Sequence, residues 1–342
     1  MDDPSRSSLA DNVAIGLNAV LAAVDNGRPK VLCVQSDADA LGLPYGPFDP
    51  KRHRTFEIGV REWVERQTNV SLGFIEQLYT FGDKGREAPA AALAGGAQND
   101  RIISIGYLAL APAPVEVLAT DAVWRDWYSF FPWEDWRAGP PPVIAKMISR
   151  GLFDWADRTE EGAKRDQRRI RINIAFGFDG WGWEEERTLD RFELLYEAGL
   201  VIEAWRDREA AGLAAPRTSR PQGAETGAPM ISDHRRILAT AIGRLRAKLK
   251  YRPVIFEMMA PTFTLLQLQQ TVEAIVGFQF HKQNFRRSVE KSGFVQNTEK
   301  TTGVAGGRPA ALFRIDREGL KDRAASGLTI PRLRKDVSFI AK

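Results

Sequence analysis

Cysteine is nearly missing from this chain: Cys33 stands alone among 342 residues. A single thiol excludes an internal disulfide and any cysteine-based metal cluster. Three histidines leave little material for a zinc site. No apolar run approaches the ~20 residues needed to cross a bilayer. The opening "MDDPSRSS" is too acidic and polar for a secretory leader. These absences predict a cytoplasmic protein with no membrane association. What remains is ordinary globular material, 44% hydrophobic and 27% charged. The length allows two or three domains with real cores.

Charge is not scarce, but it is unevenly placed. From Asp233 to Lys342 there are 21 Lys and Arg against 9 Asp and Glu, and the rest carries 27 against 35. An acidic body joined to a basic C-terminal third predicts a polyanionic partner held at one end. A solvated basic surface is the plainer reading. Nucleic acid is favoured because the basic residues fall on a recognisable element.

The first 111 residues read as one α+β unit of α/β/α type. "LNAVLAAVDNGRPKVLCVQ" (17–35) sets two apolar runs around Asn26-Gly27, a strong hairpin signal. Residues 57–67 read as a helix with Ile58, Val60, Trp63 and Val64 apolar. Residues 74–82 and 101–111 are strand-like, joined by a Gly/Ala-rich loop. A Trp-rich extension follows at 112–208, with four of the nine tryptophans in "WRDWYSFFPWEDWR". Aromatic packing at a domain or subunit interface is the expected use of those rings. Within it "RRIRINIAFGF" (168–178) alternates as a strand, and 184–208 reads as a helix. Residues 209–231 have the composition of a flexible linker.

The last predicted domain, 232–342, has a legible order. A helix spans 232–250, capped by Ser232 or Asp233, with Ile237, Ala241, Leu245 and Leu249 on one face. Thr264 and Gln267 have capping-box spacing ahead of a second helix that ends at Gly277. A third, 281–293, stops at Gly293 and is followed by strand, Gly-rich turn and strand. That order is a winged helix-turn-helix. Phe285 and Val289 anchor the third helix, which leaves Lys282, Gln283, Asn284, Arg286, Arg287 and Lys291 outward. Arg reads guanine and Asn or Gln reads adenine bidentately in the major groove, while cations neutralise phosphates. Arg308 sits where a wing touches the DNA backbone or minor groove. A basic helix of an RNA- or protein-binding module is the competing reading.

"LPYGPFDPKRHRTFEIGVREWVERQTNV" (43–70) has the frame of the Nudix pattern, a glycine turn running into a helix whose glutamates hold magnesium. The carboxylates do not fall in register. With Arg61-Glu62 as the Arg-Glu pair, Glu65 matches but His53 and Arg66 occupy glutamate positions. With "TNV" setting the register, Arg54, Trp63, Arg66 and Gln67 occupy all four. Cations cannot ligate a cation, so the expectation is no metal, no catalytic residue and a nucleotide that is bound without being cut. Lys51, Arg52 and Arg54 then attract its phosphates.

Residues 43–83 with "RIISIGYLAL", and "DHRRILATAIGRLRAKLKYRPV", "FTLLQLQQTVEAIVGFQFHKQNFRRSVEKSGFV" and "GGRPAALFRID", resemble the Nudix-related repressors of NAD metabolism. The likeness is to the NrtR and NadQ families, nearer NadQ because of the Trp-rich extension and degenerate box. It covers roughly 15–111 and 232–316. The resemblance implies a dimeric repressor of NAD-synthesis genes, bound to a double-stranded operator and needing no cofactor. Its effector would be NAD or an ADP-ribose-like nucleotide, with ATP as a second ligand. It also implies that Glu76, Gln77, Tyr79 and Asp83 line the nucleotide cleft, with Arg86 meeting a phosphate. Ordinary core is an equally good reading for Tyr79 and Phe81. The helix 232–250 would transmit between sensor and reader, with Arg244, Arg246, Lys248 and Lys250 facing phosphates or a second subunit.

One competing signal remains. "WEEERTLDRFELLYEAGLV" (183–201) matches part of a Nudix box through Glu184, Glu193 and Glu197. The alternative is therefore a nucleotide pyrophosphatase with a nucleic-acid-binding tail. Glutamates four apart are common on ordinary amphipathic helices, and no hairpin precedes this stretch.

Overall fold

Asn26 and Gly27 adopt φ of 48° and 70°, the left-handed pair that a two-residue hairpin turn requires. They join β1 (Val13–Asp25) to β2 (Arg28–Gln35), which pair antiparallel with Asp25 opposite Arg28. The computed structural model describes residues 13–35, 40–83, 85–86, 101–113, 121–222, 225–250, 253–302 and 309–316. β3 (Leu41–Gly42), β4 (Tyr45–Pro47), β5 (Phe74–Phe81), β6 (Arg101–Leu110) and β7 (Ala122–Asp126) complete a seven-stranded sheet. Its main path runs β3-β2-β1-β6-β5, and the β1–β6 pair is parallel. β4 pairs with β1 and β7 with β2.

Period-two alternation divides the core into two layers. Leu17, Ala19, Leu21 and Ala23 pack with Val60 and Val64 of α1 (Phe56–Thr68) on one face. Val20 and Ala22 face the other way, toward α6 (His234–Leu249). Thr55 caps α1 by accepting from the Ile58 amide, and Asn69 ends it at φ 57°. The expected apolar set is right for Val60 and Val64. Ile58 is instead 46% exposed, and Trp63 lies flat on Gly46, where an added Cβ would meet its ring at 2.1 Å.

The extension departs from its expected secondary structure in two places. Residues 168–178 form no strand: most belong to α3 (Gly162–Phe176). The alternation of Arg and Ile imitates a strand, but Ile172, Ala175 and Phe176 are buried at helical spacing. The helix packs on α2 (Ser149–Asp157), with Arg168 over the Trp155 ring and Arg169 over Phe153. The single helix expected at 184–208 is two, α4 (Thr188–Glu197) and α5 (Ile202–Ala210). Gly199, at φ 74°, breaks the run between them.

Residues 225–231 are packed rather than free. The Ala228 amide donates to the Ser129 carbonyl at 2.9 Å and the Met230 amide to Glu203 at 3.1 Å. Trp127, Trp133 and Trp136 are buried. Trp136 stacks on Phe278 at 5.6 Å, so the Trp-rich segment packs against the C-terminal helices.

The charge at that junction is fully enclosed. Glu134 is ion-paired to Arg191 of α4 and Arg246 of α6, and all three side chains are 0% exposed. Burial works to raise the Glu134 pKa, but the two guanidiniums outweigh it and hold the carboxyl below its usual range. Arg246 also donates through Nε to the Ile275 carbonyl at 2.9 Å, at the end of α7 (Leu265–Val276). Removing one member strands a buried charge, which costs ~3–5 kcal/mol. Glu134→Gln and Arg246→Met are each expected to lose that much in urea denaturation. A loss below ~1 kcal/mol would place the group among ordinary surface pairs.

Candidate nucleic-acid interface and nucleotide face

Thr264 caps α7 in a capping box with Gln267, and Gly277 closes it at φ 81°. A short turn leads to α8 (Lys282–Ser292), which Gly293 ends at φ 67°. β8 (Val295–Thr301) and β9 (Ala311–Ile315) form the wing, tied back by backbone bonds between Phe263 and Phe313. Phe285 and Val289 are the buried residues of α8. Lys282, Gln283, Asn284, Arg286, Arg287 and Lys291 are all exposed. Arg286 is joined to Glu290 at 2.8 Å, an exposed pair that a phosphate could displace. Arg308 lies outside the described residues.

On the α1 face, Lys51, Arg52 and Arg54 are exposed in the turn before the helix. Glu62 takes Arg52 at 2.8 Å, His53 at 3.2 Å and Arg66 at 3.7 Å. The Asp49 amide donates to His53 Nδ1 at 3.1 Å, so Nε2 carries the proton that faces Glu62. Glu57 is held by Arg61 at 2.9 Å. These α1 carboxylates are thus spent on cations of the same face. Among the described residues no three His, Cys, Asp or Glu side chains are grouped to hold a metal.

The residues expected in one cleft divide between the two sides of the sheet. Gln77 faces α1, accepting from the Tyr107 hydroxyl at 3.4 Å. Tyr79 is 61% exposed at the sheet edge, while Phe81 is core at 3%. Glu76 pairs with Lys248 of α6, and Asp83 with Arg236 of α6. Arg86 forks onto Glu193 at 2.9 and 3.2 Å, and its Nε lies 3.2 Å from Asp233. Its guanidinium also covers the Tyr196 ring at 3.8 Å. Glu76, Asp83 and Arg86 therefore fasten the edge of the seven-stranded sheet to α6.

Sequence reasoning missed those partners. Asp233 does not cap α6; its carboxylate goes to Arg86 and Arg236 instead. Arg246 and Lys248, expected to face phosphates or a second subunit, are 1% and 5% exposed and bonded within the chain. Lys250 pairs with Glu185 and Glu186. The available signal was α6 itself, whose apolar residues cover more than one face. The Nudix-like glutamates of the second stretch do not converge: Glu184 pairs with Arg187, Glu193 with Arg86 and Arg236, and Glu197 with Arg171.

Residues 255–315 match the model of the NrtR DNA-binding winged helix domain. Residues 255–315 are a winged helix of the NrtR type. The chain is 36% identical over 104 residues to the ADPR responsive transcriptional repressor NtrR of Acinetobacter baylyi, covering 30% of this chain and 41% of that one. The likeness thus spans about two fifths of that relative's length. Shewanella oneidensis NrtR, solved complexed with a 27mer DNA, superimposes with a TM-score of 0.52 at 19% identity, covering 92% of this chain and 97% of that one. A second structure of the same protein gives 0.51 at 19%, covering 92% and 98%. This likeness is one of fold: a Nudix-like α/β/α domain followed by the NrtR-type winged helix. The matched domain begins after α6, which leaves that helix between the sheet and the winged helix.

Burial pushes the Asp233 carboxyl up to about 6 against the pull of Arg86 and Arg236, with Glu193 adding to the rise. The native state therefore holds a proton between ~4 and ~6 that the unfolded chain has released. The contribution of Asp233 to stability is full below pH ~4 and declines as pH rises toward ~6, by on the order of 2–3 kcal/mol. Denaturation midpoints of the parent and Asp233→Asn should diverge across that window, the parent losing stability relative to the variant. Parallel curves would show that Asp233 does not titrate there.

Proposed function

We propose that the chain is a DNA-binding transcriptional repressor of NAD-metabolism genes, controlled by an NAD-related nucleotide on its Nudix-like domain. ADP-ribose is the leading effector, because the curated relative is named for its response to it. The nearer kinship to NadQ rests on the Trp-rich segment and the cation-filled α1 face. The protein works in the cytoplasm as a homodimer, so that two recognition helices meet two half-sites. It is not an enzyme in this reading: the nucleotide meets Lys51, Arg52, Arg54 and Gln77 where a hydrolase would present free carboxylates.

The observation that carries the reading is α8. Its apolar pair is buried beneath, and six polar or cationic side chains stand outward on a helix of groove-fitting size. Asn284, Gln283 and Arg287 suit base edges, while Lys282, Arg286 and Lys291 suit phosphates.

Transmission runs through α6. Glu76, Asp83 and Arg86 hold it on the sensor side, and Arg246 holds the end of α7 on the other. A nucleotide that draws β5 or its following loop toward the α1 face loosens the first set and moves the second. A coupling of ~1–3 kcal/mol changes operator affinity ~5–150-fold.

Gel-shift titration on the chain's own upstream region, with and without ADP-ribose, NAD and ATP, tests this. Arg287→Ala should weaken operator binding at least tenfold. Lys248→Met should leave operator affinity within about threefold yet reduce the nucleotide response, as expected of a coupling contact. Preference for single-stranded RNA over the duplex would sink the DNA assignment. Magnesium-dependent hydrolysis of ADP-ribose that disappears in Glu193→Gln would sink the non-enzymatic one.

A further inference from the structure

The described residues also line a half-open cavity of about 500 Å³ between α2, with the π-helical turn before it, and the chain around residues 218–222. None of its walls comes from the sheet, α1, α6 or the winged helix. Its volume is that of a small-molecule pocket.

The wall chemistry selects an anion. Lys146, Arg150, Asp154 and Arg158 recur every four residues, a stripe of about 18 Å at helical rise. Arg220 is supplied by the other wall, and Glu225 is the second carboxylate. Four cations thus face two carboxylates. Asp154 is 3.8 Å from Arg150, with both side chains more than half exposed, a pair that contributes little in water. Among the described residues no salt bridge engages Lys146, Arg158 or Arg220. Leu200 and Pro221 are buried and give the cavity an apolar floor.

The walls are built rather than accidental. Thr218 donates to the Gly199 carbonyl at 3.1 Å, and Arg158 donates to the Arg217 carbonyl. Gly151 packs so closely that an added Cβ would meet Leu200 at 2.8 Å. Ile144–Ile148 form the π-helical turn that presents Lys146; such turns are rare and recur at functional sites.

We infer that this cavity binds a small molecule carrying a diphosphate on an apolar or planar body, of the class of a nucleoside diphosphate. Arginine forks grip the phosphates, and the floor takes the body. The site is separate from the α1 face and does not depend on the sensor reading.

Calorimetric titration of the full chain with inorganic pyrophosphate and with ADP tests it. An Arg52→Gln/Arg54→Gln background removes the sensor loop from the comparison. In that background both probes should bind saturably, ADP more tightly because it also covers the floor. Adding Arg158→Gln/Arg220→Gln should weaken both at least tenfold while the thermal melt stays cooperative. If that variant fails to fold, Arg220→Gln alone, on an exposed side chain, must weaken pyrophosphate at least threefold. Absence of saturable binding, or equal binding with and without the cavity arginines, overturns the inference. So does a fall in operator affinity with pyrophosphate binding intact, which would assign the stripe to DNA. Operator binding without added nucleotide reports on the repressor reading independently.

Discussion

A carboxylate with no access to water must be held by cations, and Glu134 meets that requirement with two arginines from different helices. The rest of the architecture is arranged around this desolvated group. Arg191 brings α4, Arg246 brings α6, and Nε of Arg246 reaches the Ile275 carbonyl at the end of α7. Tyr128 adds a hydrogen bond to the Ala274 carbonyl at 2.7 Å. The Trp-rich segment thereby becomes a seal that keeps water from the ion group. The winged helix is docked by directional bonds as well as by apolar contact. Directional bonds have few alternative geometries, so the docked arrangement is closely specified.

The same helix carries a second kind of contact on the side of the sheet. In Glu76–Lys248 and the group of Asp83, Arg86, Glu193, Asp233 and Arg236, Lys248 and Asp233 are buried while every partner keeps some exposure. Partly solvated ion pairs are weaker than the enclosed ones and exchange partners more readily. α6 therefore has an enclosed attachment toward the winged helix and a more solvated one toward the sheet.

On the α1 face the physics is subtraction. A magnesium site needs several oxygens free to converge on one point. Glu57 and Glu62 are instead paired with arginines of the same helix and its entry turn, and Glu62 also meets Nε2 of His53. The Nudix-like frame is kept because β1, β2, β6 and α1 are held by apolar alternation and caps. Those features do not involve the positions where the Nudix pattern has glutamates.

Local signals were legible in the sequence by itself. The Asn-Gly hairpin, the α1 helix, the capping box at Thr264, the stops at Gly277 and Gly293, and the outward set on α8 all follow from neighbours within four residues. The residues around Arg168 were not legible, because alternating Arg and Ile fits a strand as well as a helix lying on an aromatic neighbour. Only the tertiary structure decided the fate of the charges. Lys248 and Arg246 read as surface cations until Glu76 and Glu134, 172 and 112 residues away, are seen to enclose them. Sequence spacing reports which face of a helix a side chain occupies. Whether that face meets water, a partner or a buried carboxylate is settled by packing between segments far apart in the chain.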